Sequence, residues 1–126
     1  MGSDNKRGFG KRGEDEAVRY LQTKGFEILD RNYHYSKFGE IDIIAKEPSR
    51  NTVAFIEVKS GYPEKFGSLL EKITPTKIKT LYRLAEAYIY YKKLQNVYFR
   101  FDVVLVDYSQ NPPQIRHIED AFQLWN

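Results

Sequence analysis

Charged side chains stand inside two short segments whose other residues are typical of buried β-strands. Glu40 and Asp42 alternate with isoleucine in the first segment, and Glu57 and Lys59 flank a valine in the second. Side chains two residues apart on a strand lie on the same face of a sheet. If the two strands pair, three carboxylates and one ammonium group converge on one patch. Because burial of unpaired charge is costly, this pattern predicts a site for a metal ion and a phosphate group.

A further acid, Glu14, lies in a segment predicted to form a helix over residues 10–24. The residues at i+3, i+4 and i+7 from it are the apolar Ala17, Val18 and Leu21. These spacings share one face of a helix, so Glu14 is expected to point toward the sheet. The two acids that follow it point elsewhere and are expected to be solvated. The alternative is that all three acids simply favour the positive end of the helix dipole.

The chemistry expected of these residues has a plain structural alternative. Mg²⁺ and Mn²⁺ take oxygen ligands, so Asp42 and Glu57 would hold the ion while Lys59 orients an attacking water molecule or offsets charge on a phosphoryl group. A cross-strand ion pair between Asp42 and Lys59 would also account for the charges, and it would contribute roughly 0.2–1 kcal/mol. The presence of both strand patterns together with Glu14 favours the metal site.

The composition is that of one globular domain, and its mildly basic charge is compatible with a polyanionic partner. The chain has 126 residues, of which 41% are hydrophobic and 29% charged, with a net charge of +3. The absence of cysteine excludes disulfides, thiolate zinc sites and cysteine nucleophiles. The basic residues that are candidates for nucleic-acid contacts are Lys11, Arg12, Lys72, Lys77, Lys79 and Arg83. For any single one of Lys72, Lys77, Lys79 and Arg83, a solvated helix surface is the preferred interpretation. Lys11 and Arg12 could instead belong to a mobile tail.

Hydrophobic periodicity and turn residues predict a single α/β domain. Strands are predicted over residues 26–35, 40–46, 52–60, 97–107 and 114–118, and helices over 10–24, 68–72, 75–93 and 120–126. This order indicates one mixed sheet with helices against its faces. Residues 1–9 are expected to be a flexible basic segment and residues 10–126 the folded domain. Neither a signal peptide nor an apolar run of about 20 residues is present, so a cytoplasmic protein without a membrane partner is expected.

An Asp on one strand, Glu-x-Lys on the next and then a helix resembles the PD-(D/E)xK nuclease superfamily. Within it, the order of Gly13-Glu14, Gly39-Glu40-Ile41-Asp42 and Glu57-Val58-Lys59 resembles the YraN (UPF0102) family. Further matching segments are Arg31-Asn32-Tyr33, Phe66-Gly67, Thr74-Pro75 and residues 100–104 and 117–122. The resemblance covers nearly the whole chain, and archaeal Holliday junction resolvases are more distantly similar.

The resemblance implies a restriction-endonuclease-like fold and a metal-dependent nuclease. It implies catalytic roles for Glu14, Asp42, Glu57 and Lys59, with the three acids around Mg²⁺ or Mn²⁺. Ile41 stands where the superfamily's name has a proline, a common departure. Glu40 is an extra acid that either binds a second metal ion or, in the preferred interpretation, is a solvated residue at the turn.

Three functions are therefore considered. The first is hydrolysis of phosphodiester bonds in DNA, with structured or branched DNA as one substrate to test. The second is a nucleic-acid-binding module without turnover. The third is a structural protein that forms a homodimer through tyrosine-rich helix surfaces and uses its acids only in salt bridges. The sequence leaves open DNA or RNA, Mg²⁺ or Mn²⁺, and monomer or homodimer.

Overall fold

The computed structural model of the protein describes residues 2–35, 37, 39–63 and 67–122, and the side chains of residues 2–9 and 67 lie outside that description. The helices are α1 (Gly2–Thr23), α2 (Gly67–Leu70) and α3 (Pro75–Lys92), with a 3₁₀ turn at Pro48–Arg50. The strands are β1 (Glu27–His34), β2 (Glu40–Glu47), β3 (Thr52–Gly61), β4 (Tyr98–Asp107) and β5 (Gln114–Ile118). The helical turn predicted over residues 120–126 falls largely outside the described residues.

The five strands form one sheet in the order β1-β2-β3-β4-β5. Neighbouring strands are antiparallel except for β3 and β4, which are parallel. Two parallel strands need a crossover connection, and α3 lies in the connection between these two. The predicted mixed sheet in a single α/β domain is therefore confirmed.

One helix packs against each face of the sheet. On one face, Ala17 and Leu21 of α1 are fully buried in a cluster with Ile56 of β3. On the other, Leu84 of α3 is buried in a cluster with Phe55. Alternate residues of β3 thus enter different cores, which is the consequence of the two-residue period of a strand. Among the described residues, no helix is long and apolar enough to cross a lipid bilayer.

The two long helices differ in how well the sequence predicts their limits. Helix α3 begins as predicted, with the Thr74 hydroxyl accepting a hydrogen bond from the backbone N–H of Lys77 and Pro75 at the first helical position. Helix α1 begins at Gly2 rather than at Gly10. Glycine weakens a helix by only about 1 kcal/mol per residue, so the glycines of this segment do not end it.

Candidate functional site

The two acids predicted on β2 and β3 lie where the pairing of these strands ends. The β2–β3 pairs run from Glu47 and Thr52 to Ile43 and Ile56. Beyond the last pair, the Asp42 side chain takes the place of a backbone acceptor: its Oδ2 accepts a hydrogen bond of 2.8 Å from the N–H of Val58. Asp42 is 8% exposed and Glu57 only 3% exposed. Both carboxyl groups are therefore held in the protein interior at the open end of a strand pair.

Three carboxyl groups from two elements meet at this point. Glu14 of α1 and Glu40 and Asp42 of β2 each place a carboxylate oxygen within 4.8 Å of the others. Glu14 therefore lies where its helical position predicts. Glu40 differs from its preferred interpretation as a solvated turn residue. It shares a strand face with Asp42, and its carboxylate is part of the trio.

Helix α1 reaches the site because it carries glycine at its closest approach to the sheet. A Cβ atom on Gly13 would lie 2.5 Å from the Ser60 Oγ and 2.7 Å from the Ser60 Cβ. Both distances are shorter than real Cβ contacts, so only glycine fits here without displacement of the helix or of β3. The neighbouring Glu14 is thereby brought up to the end of β2.

Two polar residues of β1, which sequence reasoning did not place in the site, contact these acids. The Asn32 amide donates hydrogen bonds to Glu14 Oε1 at 2.9 Å and to Glu40 Oε1 at 3.3 Å. His34 Nε2 lies 3.0 Å from Glu40 Oε2. The signal for His34 was its position opposite Glu40 across the predicted turn, whereas Asn32 has a left-handed backbone conformation that leaves no periodic signal in the sequence.

Two ammonium groups lie beside Glu57. Lys59 Nζ is 3.6 Å from Glu57 Oε2, and Lys77 Nζ is 4.0 Å from Oε1 and donates to the Glu40 carbonyl oxygen at 3.3 Å. Lys77 was predicted among the nucleic-acid contacts of the helix surface, but it is half-buried at the carboxylates. In the described part of the chain, Lys59 pairs with Glu57 rather than with Asp42, so the proposed simple cross-strand pair with Asp42 is not the arrangement found.

One oxygen of this site is buried without a hydrogen bond. Glu57 Oε1 has no hydrogen-bond partner among the residues that the structure describes. A buried acceptor left without a donor costs about 1–3 kcal/mol, and more when it is charged. This oxygen lies outside the Glu14, Glu40 and Asp42 trio, and it has capacity to accept a further donor or a cation.

Burial shifts the acids toward their protonated forms. Burial, followed by the charge of Glu57, raises the pKa of Asp42 to about 7. Burial also raises the pKa of Glu57, although Lys77 and Lys59 oppose the shift. Burial raises the pKa of Glu14 as well, against the hydrogen bond from Asn32. These carboxyl groups therefore bind protons more tightly than exposed carboxyl groups do.

The donor set suits a hard divalent cation. Carboxylate oxygens are the ligands that Mg²⁺ and Mn²⁺ prefer, and nitrogen or sulfur ligands are not needed. Glu14, Glu40 and Asp42 supply three such oxygens within a few ångströms of one another. Glu57 lies outside this trio but interacts directly with Asp42. The residues present therefore fit the metal ion that the sequence pattern predicts.

The remaining basic candidates lie at the surface of the domain. Lys11, Lys72, Lys79 and Arg83 are exposed, as either interpretation of them requires. The Arg12 guanidinium lies 4.8 Å from the centre of the Tyr108 ring, so it also packs against the domain.

The acids that follow Glu14 were predicted to be solvated, and each is partly exposed and paired with an arginine: Asp15 with Arg31 and Glu16 with Arg19.

A separate buried carboxyl group, Asp102 on β4, holds structure together. It accepts hydrogen bonds from Arg100 Nε at 2.9 Å and from the backbone N–H of Asp120 at 3.0 Å, and His117 Nε2 lies 2.8 Å from it. Burial alone would raise the pKa of Asp102, but the bonds with His117 and Arg100 hold it below its usual value. This agrees with the structural role that strand alternation predicts for Asp102, and it gives His117 a partner.

The fold and the site together define an α/β domain whose central strands end in an acidic cluster flanked by lysines. The model of the Uncharacterised protein family UPF0102 matches residues 13–106 of the chain. A UPF0102 protein of Sulfurihydrogenibium sp. is 46% identical over 91% of this chain and 94% of its own length. Another, from Clostridium tetani, is 43% identical over 98% of this chain and all of its own length. The chain belongs to the UPF0102 family, which confirms the family resemblance drawn from its motifs.

Proposed function

We propose that this protein is a metal-dependent nuclease that hydrolyses phosphodiester bonds in DNA. The observation that carries the proposal is the meeting of Glu14, Glu40 and Asp42 within 4.8 Å, next to a buried Glu57. Two lysines at hydrogen-bonding or ion-pair distance from the same cluster supply positive charge that a purely cation-binding site does not need. Acids and ammonium groups in one place are what phosphoryl transfer requires.

The carboxylates have distinct roles in this proposal. Asp42 and Glu57 would hold Mg²⁺ or Mn²⁺, and Glu14 and Glu40 would supply further carboxylate oxygens beside it. When bound, the metal ion supplies Lewis acidity toward a phosphate oxygen and lowers the pKa of a bound water molecule. The hydrogen bond from Val58 keeps the Asp42 carboxylate at the end of the strand pair, so its geometry does not depend on the ion.

The lysines act on charge and on orientation. Lys59, 3.6 Å from Glu57, orients the attacking water molecule and offsets the negative charge that grows on the phosphoryl group. Lys77 reaches the same carboxylate from α3 and is tied to the Glu40 carbonyl, so its ammonium is fixed in position. It contributes a second positive charge at the reacting centre.

The exposed basic residues would bind the backbone of the nucleic acid. Lys72 follows α2, and Lys79 and Arg83 are one turn apart on α3, the helix that also carries Lys77 into the site. Lys11 and Arg12 precede Glu14 on α1, the other helix that enters the site. Phosphate contacts of this kind position a substrate without reading its sequence, and they weaken as the salt concentration rises.

The test is cleavage of labelled single-stranded, duplex and four-way-junction DNA with Mn²⁺ or Mg²⁺. The Asp42→Ala and Lys59→Ala proteins are assayed beside the parent, and Lys46→Ala serves as a control, since Lys46 lies on β2 at the opposite end from Glu40. Cleavage by the parent and the control, with none by the two site variants, is expected. Equal cleavage by the Asp42→Ala protein would contradict the assignment.

The same assay separates the other two functions. Retained, salt-dependent DNA binding with no cleavage under either metal ion would indicate a binding module. Absence of DNA binding at low salt, together with a dimer by sedimentation, would indicate a structural protein. Cleavage of one DNA form over the others would identify the substrate class.

A further inference from the structure

Asn32 has a backbone conformation that is unusual for a residue within a strand. Its φ is +50°, in the left-handed region, although it is not glycine. Its neighbours Arg31 and Tyr33 pair with Ile43 and Ile41 of β2, so Asn32 stands level with Asp42 in the sheet. Left-handed conformations cost non-glycine residues on the order of 1 kcal/mol, and asparagine tolerates them best among the larger side chains. The conformation persists because surrounding contacts require it.

The consequence of this conformation is the direction of the Asn32 side chain. Its amide nitrogen donates one hydrogen bond to Glu14 on α1 and another to Glu40 on β2, at 2.9 and 3.3 Å. A single neutral group thus joins the two acids that enter the site from different elements. The second oxygen of Glu40, Oε2, lies 3.0 Å from His34 Nε2. Contacts from β1 therefore orient both oxygens of that carboxylate.

The neutrality of the amide has a physical advantage at such a site. Two carboxylates within 4.8 Å of each other repel, and some donor must hold them together before a cation arrives. A lysine or arginine in the place of Asn32 would do so with a positive charge, which would then compete with the cation. An amide donates the hydrogen bonds without adding to the positive charge that Arg31 already places 3.9 Å from Glu14 Oε1.

We propose that Asn32 is a positioning residue that holds Glu14 and Glu40 at cation-binding distance from each other. This inference rests on the cation site of the proposed function, but not on DNA cleavage. Its strained backbone is the means by which the amide reaches both carboxylates. Residues that orient metal ligands through hydrogen bonds typically change metal affinity about 10–100-fold when they are replaced.

The test compares two asparagine-to-glycine substitutions. Asn32→Gly removes the amide and relieves the backbone, because glycine adopts a positive φ without strain. The matched control is Asn51→Gly: Asn51 has a φ of +49°, and its amide donates to the Asn96 carbonyl at 2.7 Å, at the turn between β2 and β3. Mn²⁺ affinity is measured by calorimetry and by electron paramagnetic resonance, and thermal unfolding is measured without divalent ions.

The expected result is a 10–100-fold weaker Mn²⁺ affinity for Asn32→Gly with an unfolding midpoint no lower than that of Asn51→Gly. Asn51→Gly is expected to bind Mn²⁺ as the parent does. Parental Mn²⁺ affinity in Asn32→Gly would overturn the inference. Parental Mn²⁺ affinity combined with an unfolding midpoint well below that of the control would show that the amide only stabilises the fold.

A double-mutant cycle tests whether Asn32 acts through Glu14. If it does, Asn32→Gly weakens Mn²⁺ binding less in a Glu14→Gln protein than in the parent. Equal effects in the two backgrounds would overturn the proposed route. A parent that binds no Mn²⁺ would overturn both this inference and the proposed function. Normal Mn²⁺ binding without cleavage would contradict only the nuclease.

Discussion

The backbone N–H of Val58 donates a 2.8 Å hydrogen bond to the carboxylate of Asp42, just beyond the last pair of β2 and β3. The bond fixes the position of the carboxylate but leaves it with little access to water. Burial and the neighbouring Glu57 raise the pKa of Asp42 to about 7 despite this bond. The Val58 hydrogen bond thus sets the position of the Asp42 carboxylate, whereas burial and Glu57 set the electrostatic cost of its charge.

The raised pKa of Asp42 predicts how the free energy of unfolding depends on pH when divalent ions are absent. Between the usual pKa of 3.8 and the raised value of about 7, folded Asp42 retains a proton that the unfolded chain releases. The free energy of unfolding therefore falls as the pH rises through this window. From pH 5 to pH 8, the parent should lose on the order of 2 kcal/mol more than Asp42→Asn, as measured by urea unfolding.

A variant of Asp102, another buried aspartate, gives the opposite sign. The pKa of Asp102 lies below its usual value, because the bonds with His117 and Arg100 outweigh burial. Asp102 therefore contributes stability above the unfolded pKa that is lost as the pH falls through the lower folded value. Asp102→Asn should destabilise the protein at pH 8 and differ less from the parent in acid. Equal pH profiles for Asp42→Asn and the parent would contradict the raised pKa of Asp42.

The protonated state of the site also predicts that cation binding releases protons. A divalent ion must displace the proton that Asp42 holds near pH 7, and burial raises the pKa of Glu57 and Glu14 in the same direction. Mn²⁺ affinity should therefore increase from pH 6 to pH 8, by up to about tenfold per pH unit for each proton released. Calorimetry in two buffers with different ionisation enthalpies counts those protons. Binding without proton release would contradict the prediction.

The sequence predicted the elements and the faces on which the candidate residues lie. Alternation on β2 and β3 placed Asp42, Glu57 and Lys59 on their strands, and helical spacing selected Glu14 from three successive acids. These are local properties of a strand or helix and need no knowledge of the fold. The strands, their order of appearance and the start of α3 followed for the same reason.

The sequence did not predict the site positions of Asn32, Lys77 and Glu40, because these depend on how elements distant in the chain pack together. Asn32 is drawn into the site by a left-handed backbone conformation that has no period. Lys77 was indistinguishable from its exposed neighbours until α3 was placed over the end of β2 and β3. Glu40 follows a turn, where a solvated acid is ordinary, and only contacts from β1 show otherwise.

The close approach of α1 to β3 predicts different outcomes for two glycines of one helix. Gly13→Ala would place a Cβ atom 2.5 Å from Ser60 Oγ, so the helix must shift and carry Glu14 with it. We expect a loss of about 1–3 kcal/mol in the free energy of unfolding and weaker Mn²⁺ binding. Gly10→Ala meets nothing within 4 Å and should be neutral or stabilising by up to about 1 kcal/mol. Indistinguishable effects in denaturant unfolding would show that this contact does not position the helix.

Lys77 and Lys79 allow the chemical and binding contributions of α3 to be separated. Lys77 is half-buried, with its ammonium 4.0 Å from Glu57 and hydrogen-bonded to the Glu40 carbonyl, whereas Lys79 is exposed. If Lys77 supplies charge at the reacting phosphate, Lys77→Met should lower kcat by at least about tenfold with little change in KM.

Lys79→Met should instead raise KM for DNA and reduce the salt dependence of binding by about one phosphate contact, with kcat retained. Both variants keep an unbranched side chain that is only slightly shorter than lysine and has no charge, so the packing of the stem changes little in either. Single-turnover cleavage and binding titrations at several salt concentrations distinguish the two effects. An equal change in KM for both lysines, with kcat intact, would return Lys77 to the nucleic-acid surface where its sequence position first placed it.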